Sequence, residues 1–290
     1  MVSALFPMLK NVGVAATAAL MRTLPRRTPF KTRLTRMLLT TLSDGRGAIV
    51  HGSGGLKYWV PSLAEQITVG IVAFGAYELE TIAFVIRELP DDGLFVDVGA
   101  NIGAITLPVA KAKPGARVLA IEASKPIFTA LTRNVQANAL GNVRPVCAFA
   151  GKADYGEIAF YEPPDRKFGM GSAGAQFHKN PKPVLVRTID NILEEFGMPT
   201  PDVIKIDVEG AELITLKGME TTLCRGPKHP VLVFEFAEWA EARIEGQRAG
   251  DAQRFLLERG FELREAGPRG AAIHSPIIAG EQMIIARYPT

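Results

Sequence analysis

Carboxylic acids recur in the 290-residue chain at the ends of short apolar runs, where a ligand could reach them. Asp97 lies in the run Leu94–Val98, Glu122 ends a second run, and Asp207 ends a third. A carboxylate at such a place can accept hydrogen bonds from hydroxyl groups or take up a proton. These acids are therefore candidates for ligand binding and for acid–base chemistry.

A glycine pattern follows the first of these runs and opens a predicted helix. Gly99 and Gly103 flank Asn101, and glycine permits a sharp turn and a close approach of the backbone to a ligand. The strand–turn–helix context is that of a nucleotide site. The dinucleotide fingerprint G-x-G-x-x-G would place glycine at 99, 101 and 104, but Asn101 and Ala104 stand at the last two positions. The pattern favours a cofactor without pyrophosphate over NAD.

Two acids beside this turn have both a binding and a structural interpretation. Glu122 follows Gly99 by 23 residues, a place from which a carboxylate can accept both hydrogen bonds of a ribose diol. Alternatively, Glu122 caps the next helix, and Asp97 bonds the amides of its own turn. Further along, Asp207 and Glu209 are costly to bury unless they are solvated or bound to something. Glu209 and Glu212 could instead stabilise the N-terminus of the following helix by complementing its dipole, so Asp207 is the better functional candidate.

The elements around these residues alternate between strands and helices. Apolar strands that alternate with helices predict a parallel sheet covered on both faces. Before them, residues 44–60 predict a hairpin or loop, and 76–89 a helix. The segment 163–183 is irregular and rich in Gly and Pro, which is typical of a binding loop, a lid or disorder; it contains His178, a further candidate. The predicted strands are 94–98, 117–121, 143–148, 158–161, 203–207, 231–236, 261–263 and 283–287, and the predicted helices are 102–111, 126–139, one from 212 and 251–259.

Five segments together resemble the FkbM family of S-adenosylmethionine-dependent methyltransferases. They are FVDVGANIG (95–103), IEAS (121–124), RTIDNIL (187–193), DVIKIDVEGAELITLKGM (202–219) and VLVFEF (231–236), and the upstream GAYELE (75–80) also fits. The resemblance covers roughly residues 65–265. It implies an α/β class I methyltransferase (Rossmann-like) fold, with a mostly parallel seven-stranded sheet, helices on both faces and an antiparallel last strand.

The resemblance also implies a cofactor, S-adenosyl-L-methionine, in the crevice of the glycine turn. Glu122 would then take the ribose hydroxyls, and residues near Ala148 would flank the adenine. Asp207 would face the methionine part or the acceptor. The implied cofactor-binding residues are Asp97, Gly99, Asn101, Gly103, Glu122, Ala123 and Ala148.

Family members typically methylate oxygen atoms, so the resemblance implies O-methylation of a hydroxyl on a glycan or small metabolite. An attacking alcohol must lose its proton, which a positioned carboxylate can accept. Asp207 is the first candidate catalytic base, and Glu209 and Glu235 are next. We predict no bound metal, although these three acids could in principle gather around Mg²⁺. Two alternatives remain open: a non-catalytic or membrane-associated module that keeps the fold, and an NAD-dependent oxidoreductase.

Charge divides the chain into two parts. Residues 1–43 contain seven basic residues and no acid, whereas 44–290 contain 26 basic and 30 acidic residues. We therefore expect a basic amphipathic extension (1–43) followed by one methyltransferase domain (44–290) that binds no nucleic acid. On a helix, Leu5, Met8, Leu9, Val12, Ala15, Ala16 and Ala19 share one face.

The extension has two interpretations. Residues 1–40 could contact an anionic membrane surface, or they could pack on the body of the protein. Cys147 and Cys224 lie far apart and form no metal-binding motif, which favours a reducing compartment and a cytoplasmic location, with possible membrane association. The sequence does not define the oligomeric state.

Overall fold

The computed structural model describes residues 2–154, 156–164, 167–174, 180–224, 228–267 and 270–289, with the side chains of 2–9 left aside. The helices are α1 Val2–Thr23, α2 Lys31–Thr41, α3 Gln66–Phe74, α4 Leu79–Glu88, α5 Thr106–Ala112, α6 Lys125–Ala137, α7 Ile189–Glu195, α8 Glu212–Lys217, α9 Glu220–Cys224, α10 Glu238–Glu241 and α11 Asp251–Leu257. The strands are β1 Ala48–His51, β2 Lys57–Val60, β3 Leu94–Val98, β4 Arg117–Glu122, β5 Val143–Cys147, β6 Phe149–Ala150, β7 Glu157–Phe160, β8 Lys182–Arg187, β9 Val203–Ile206, β10 Val231–Ala237, β11 Glu262–Glu265, β12 Ala272–Ile273 and β13 Glu281–Arg287.

The central sheet has the strand order β12-β11-β13-β10-β9-β3-β4-β5. The five strands from β10 to β5 are mutually parallel, whereas β13 runs antiparallel to both β10 and β11. The parallel core and the antiparallel late strand confirm the predicted fold class. Over the described residues the sheet has eight strands rather than seven, because the two-residue strand β12 extends its edge.

Burial on both faces explains why the central strands are apolar throughout. Phe95, Val96, Ile204 and Ile206 have no exposed surface, as expected for parallel strands that are covered by helices on each side. Such strands must turn away from the core at their carboxyl ends, where the polar residues of the chain then collect. This edge therefore positions the acids and glycines that the sequence singled out.

The N-terminal part packs on the same domain. The segment 44–60 contains the antiparallel hairpin β1–β2, as one of its two interpretations predicted. Helices α1 and α2 both pack against α3. The pattern did not predict α3, because its residues are buried almost all round and show no amphipathic period. Strand β8 was also missed, and it pairs with β7 and β6 in a small separate sheet.

Helix α1 contacts the body through a face other than its most apolar one. Val14, Thr17, Ala18 and Met21 are buried, together with Lys10, whose ammonium donates hydrogen bonds to Asp44 and to two backbone carbonyls. The predicted apolar face is exposed wherever its side chains are described, at Val12, Ala15, Ala16 and Ala19.

The described helices were also compared with the length and apolarity that a membrane span requires. No single one of them is long and apolar enough to cross a bilayer. Helices α3 and α4 satisfy the criterion only when taken together, and they are bent by 77° where they meet.

Candidate active site

The carboxyl ends of β3, β4, β9 and β10 border a cleft of about 310 Å³. Open α/β sheets bind ligands at this edge. The cleft is lined by eight of the residues that the sequence selected: Gly99, Asn101, Glu122, Ala123, Ala148, Asp207, Glu209 and Glu235. Asp97 and Gly103 are not part of this lining, so the structure places them behind the wall rather than in it.

Both ends of the glycine turn have a left-handed backbone that favours glycine, and Gly99 also lies against neighbouring backbone. Gly99 has a φ of 74°, and a Cβ there would lie 1.8 Å from the carbonyl oxygen of Asp207. Gly103 has a φ of 90°, and its Cβ would lie 2.1 Å from Leu107 in α5. Thus Gly99 fits the turn against the β9 loop, and Gly103 fits it against the following helix. Asn101 also has a positive φ, of 52°.

Glu122 connects the glycine turn to the start of α6. One of its carboxylate oxygens accepts a hydrogen bond from the Asn101 N–H at 2.9 Å, and the other accepts from the Ser124 N–H at 2.8 Å. Burial raises the pKa of Glu122 to about 7, although both bonds oppose this shift. The carboxylate thus bonds the next helix, as the structural interpretation held. It also lines the cleft, and each oxygen retains acceptor capacity for a ligand hydroxyl.

Asp97 lies beneath the turn and is fully buried. It accepts a hydrogen bond from the Thr106 hydroxyl at 2.6 Å, which fixes the start of α5. Its second oxygen has no hydrogen-bond partner and lies 3.5 Å from the ammonium of Lys205. Asp97 therefore supports the turn from behind, and its predicted role in cofactor binding stays a prediction.

Lys205 is a site residue that the sequence analysis did not select. Its ammonium lies 3.1 Å from Asp207 and donates a hydrogen bond to the Gly99 carbonyl at 3.2 Å. Burial alone would lower the pKa of this lysine, but the surrounding carboxylates, Asp207 first, outweigh burial and raise it. The sequence did contain a signal for Lys205: a lysine inside an apolar, buried strand indicates that acidic partners lie nearby, because a buried charge needs them.

The predicted catalytic acids lie together at the end of β9 and β10. Carboxylate oxygens of Asp207, Glu209 and Glu235 all lie within 4.8 Å of one another. Burial, followed by the charge of Asp207, raises the pKa of Glu209 to about 9. The charge of Asp207, followed by burial, raises the pKa of Glu235 to about 10. Oxygen ligands of this kind suit Mg²⁺, and the prediction of a metal-free site stays a prediction.

Other cleft residues come from elements that precede the glycine turn. Glu78 has a φ of 46°, and burial raises its pKa, with the charge of Asp207 adding to the shift. Glu65 caps α3 through the Ile67 N–H, and burial raises its pKa to about 7. The GAYELE segment contains Glu78, yet nothing in its spacing indicated that it reaches a strand end. The remaining candidate, His178, lies outside the described residues.

The strand order, the glycine turn at the end of β3 and the acids at the same edge define a class I methyltransferase fold. The chain matches the Methyltransferase FkbM domain over residues 97–263, more than half of its length. It belongs to the FkbM methyltransferase family.

Curated relatives are similar to part of the chain. The methyltransferase sdnD of Sordaria araneosa is 30% identical over 164 residues, which cover 47% of this chain and 63% of sdnD. The hexuronic acid methyltransferase AglP of Haloferax volcanii is 32% identical over 148 residues, which cover 50% of this chain and 58% of AglP. The chain thus matches about three fifths of the length of each of these relatives.

Solved structures are similar at lower identity. The M. jannaschii TYW2 in complex with AdoMet has 17% identity and a TM-score of 0.43, with 84% of this chain and 85% of that one covered. A SAM-dependent O-methyltransferase from Thermotoga maritima has 14% identity and a TM-score of 0.42, with 87% and 81% covered.

Proposed function

We propose that this chain transfers the methyl group of S-adenosylmethionine to a hydroxyl group of a glycan or small metabolite. The observation that carries the proposal is the position of Asp207. Its backbone carbonyl touches the glycine turn, and its carboxylate lies in the cleft beside two further acids. One residue thus joins the predicted cofactor turn to a group that can accept a proton.

The residues present fit S-adenosylmethionine. The cleft volume of about 310 Å³ lies at the lower end of the range of about 300–1,000 Å³ usual for small-molecule sites. A side chain at Gly99 would clash with the backbone of Asp207, so the turn is kept bare, and Glu122 retains acceptor capacity for the ribose hydroxyls. Ala123 and Ala148 line the wall where the adenine is expected. When bound, this cofactor supplies an electrophilic methyl group on a positively charged sulfur.

Asp207 is the base that the geometry favours among the three acids. Glu209 and Glu235 hold protons at neutral pH, since their pKa values are raised to about 9 and about 10. A carboxyl group that holds a proton donates hydrogen bonds and does not accept the proton of an alcohol. Asp207 is oriented by Lys205 and has 26% of its side chain exposed, so an acceptor hydroxyl can reach it.

The charge of the cleft supports an uncharged acceptor. Among the described residues that line it, Lys205 is the only cation, and it is already paired with Asp207 and Asp97. An acidic acceptor would therefore meet carboxyl groups without a free cation to neutralise it. AglP, by its name, methylates a hexuronic acid. For this chain we propose a neutral polyhydroxy acceptor, whose hydroxyls the carboxyl groups can bind.

The same proposal includes where the reaction takes place and which part of the chain performs it. Cys147 and Cys224 are both free thiols, which fits a reducing compartment such as the cytoplasm. All the cleft residues lie between Glu65 and Glu281, so we assign the reaction to the domain 44–290 and a separate role to residues 1–43.

Calorimetric titration with S-adenosylmethionine tests the cofactor, and mass spectrometry of a panel of hydroxyl acceptors tests the transfer. We expect binding that Glu122→Gln weakens and the exposed control Glu262→Gln leaves unchanged. Correctly folded protein that binds no S-adenosylmethionine would overturn the proposal. Binding without any methylated product across the panel would favour the non-catalytic module instead.

A further inference from the structure

Exposed apolar side chains are concentrated on the N-terminal extension. Nine large hydrophobic residues are exposed in the described part of the chain, and five of them lie between positions 12 and 37. These five are Val12, Leu20, Phe30, Leu34 and Met37. The first two lie on α1 and the other three on or beside α2. Single exposed hydrophobics are normal, so the feature to explain is the concentration of five on two neighbouring helices.

Helix α2 presents a stripe of apolar residues to solvent. Phe30, Leu34 and Met37 recur at intervals of four and three, which places them on one side of the helix. The inward side carries Lys31, Thr35 and Leu39, all buried. The Lys31 ammonium donates to the Leu24 carbonyl, and the Thr35 hydroxyl donates to the Lys31 carbonyl. Helix α2 thus buries Leu39 near its end but leaves a second apolar stripe in solvent, where a surface helix usually carries polar residues.

The first residue of this stripe has an unusual backbone conformation. Phe30 has a φ of 59°, a left-handed conformation that bulky residues rarely adopt, and its side chain is 74% exposed. Its carbonyl accepts a hydrogen bond from the Leu34 N–H at 2.8 Å, but its exposed ring gains little from burial in this chain. Contact with an external partner would bury this ring.

The cations of the extension fall into two groups. Lys10, Arg22 and Lys31 donate hydrogen bonds to backbone carbonyls of the chain. The other four, Arg26, Arg27, Arg33 and Arg36, are exposed. Since residues 1–43 contain no acid, every charge that this segment itself places beside the apolar stripe is positive.

We propose that the surface formed by α2, the turn before it and the outer side of α1 binds an anionic lipid bilayer. Aliphatic and aromatic side chains flanked by arginines suit the interface, where the apolar groups enter the acyl boundary and the cations meet acidic headgroups. A nucleic acid would use the arginines but not the aliphatic stripe, and a second copy of this face would bring like charges together.

Helix α2 packs against α3, and Glu65, which caps α3, lines the cleft. Arg36 is close enough to Glu65, which lines the cleft, to oppose the rise that burial causes in the pKa of Glu65. Docking through α2 would therefore hold the cleft near the lipid surface.

Flotation of the full chain with vesicles tests the proposal. We expect binding to phosphatidylcholine vesicles that contain phosphatidylserine, little binding to phosphatidylcholine alone, and release by salt. The triple variant Arg26→Gln, Arg27→Gln and Arg33→Gln should lower partitioning of the protein onto acidic vesicles roughly 100-fold. Phe30→Asn with Met37→Gln should lower it about tenfold, because apolar area no longer enters the bilayer. Asparagine tolerates a left-handed backbone, so this variant keeps the fold.

Matched controls lie on other surfaces. Ile278→Gln removes an apolar side chain that is 63% exposed. The triple variant Lys217→Gln, Arg248→Gln and Arg264→Gln removes three exposed cations. We expect both controls to bind like the parent protein. Absence of binding to acidic vesicles by folded parent protein would overturn the proposal. Equal losses in the control variants would also overturn it. So would binding of RNA to this surface with an affinity that Phe30→Asn does not change, or a dimer, detected by light scattering, that Phe30→Asn dissociates.

Discussion

The ammonium nitrogen of Lys205 lies 3.1 Å from a carboxylate oxygen of Asp207, and both residues belong to the same β-strand end. The same nitrogen lies 3.5 Å from Asp97 and donates a hydrogen bond to the Gly99 carbonyl. One buried cation therefore connects the support of the glycine turn, the turn itself and the proposed base.

Replacing this cation should destabilise the protein strongly. Lys205→Met leaves Asp97, which has no exposed surface, without its charged partner. Breaking one half of a buried ion pair typically costs about 3–5 kcal/mol. Urea unfolding measures this loss. The control Lys182→Met removes a lysine that pairs with Glu162 but has 65% of its side chain exposed, and should cost about 0–1 kcal/mol. Equal losses in both variants would contradict a central role for Lys205.

Replacing the proposed base should remove activity and spare the cofactor. Asp207→Asn keeps the size of the side chain but cannot accept the proton of an acceptor hydroxyl. We expect kcat to fall about 10²–10⁴-fold, with the affinity for S-adenosylmethionine within a few-fold of the parent value. Single-turnover methyl transfer and calorimetry measure the two quantities. Asp92→Asn is the control, because Asp92 is exposed in the turn before β3, at the opposite edge of the sheet. Unchanged kcat in Asp207→Asn would assign the proton to another group.

A comparison of two glycines with nearly the same φ separates the cost of backbone strain from the cost of a steric clash. Gly99 has a φ of 74° and Gly45 a φ of 75°, but a Cβ at Gly45 would meet nothing within 4 Å. Gly45→Ala should therefore cost only the left-handed strain, about 1–3 kcal/mol. Gly99→Ala adds a collision with the backbone of Asp207 and should cost more, while also weakening cofactor binding. Thermal unfolding and calorimetry compare the variants, and equal effects would disprove the steric argument.

The acceptor prediction follows from the charge of the cleft. We expect a neutral sugar derivative to be methylated with a higher kcat/KM than the matching hexuronate, because the only lining cation among the described residues is already paired. The comparison uses the same sugar with a hydroxymethyl or a carboxylate group. A preference for the hexuronate would show that another cation reaches the cleft.

Local sequence patterns predicted those site residues whose positions follow from the path of the backbone alone. Gly99 and Asp207 end neighbouring buried strands, so the parallel sheet brings them together without any knowledge of side chains. Glu78 and Glu65 could not be found in this way, since their positions depend on how α3 and α4 pack on the sheet. The same limit applies to α1. Its hydrophobic pattern identified an apolar face. The pattern could not show that Lys10 is buried and donates a hydrogen bond to Asp44, whereas Val12 is exposed.

The acidic cluster should make stability depend on pH through Glu235. The charge of Asp207, followed by burial, raises its pKa from 4.5 to about 10. The folded protein therefore holds this proton more tightly than the unfolded chain does. The resulting stability is fully present below about pH 4.5 and is lost as the pH rises towards about 10. Glu235→Gln carries no proton to lose, so its advantage over the parent protein should grow across this range.

Thermal unfolding of the parent protein and Glu235→Gln at several pH values measures this advantage. We expect the two melting temperatures to be closest in acid and to separate progressively as the pH rises, since each kcal/mol corresponds to roughly 2–4 °C in a domain of this size. Glu262→Gln provides the control, because Glu262 is exposed on β11. A difference that stays constant with pH would mean that Glu235 is solvated in the folded protein. Asp207→Asn should reproduce part of the gain, because the charge of Asp207 is the largest cause of the shift.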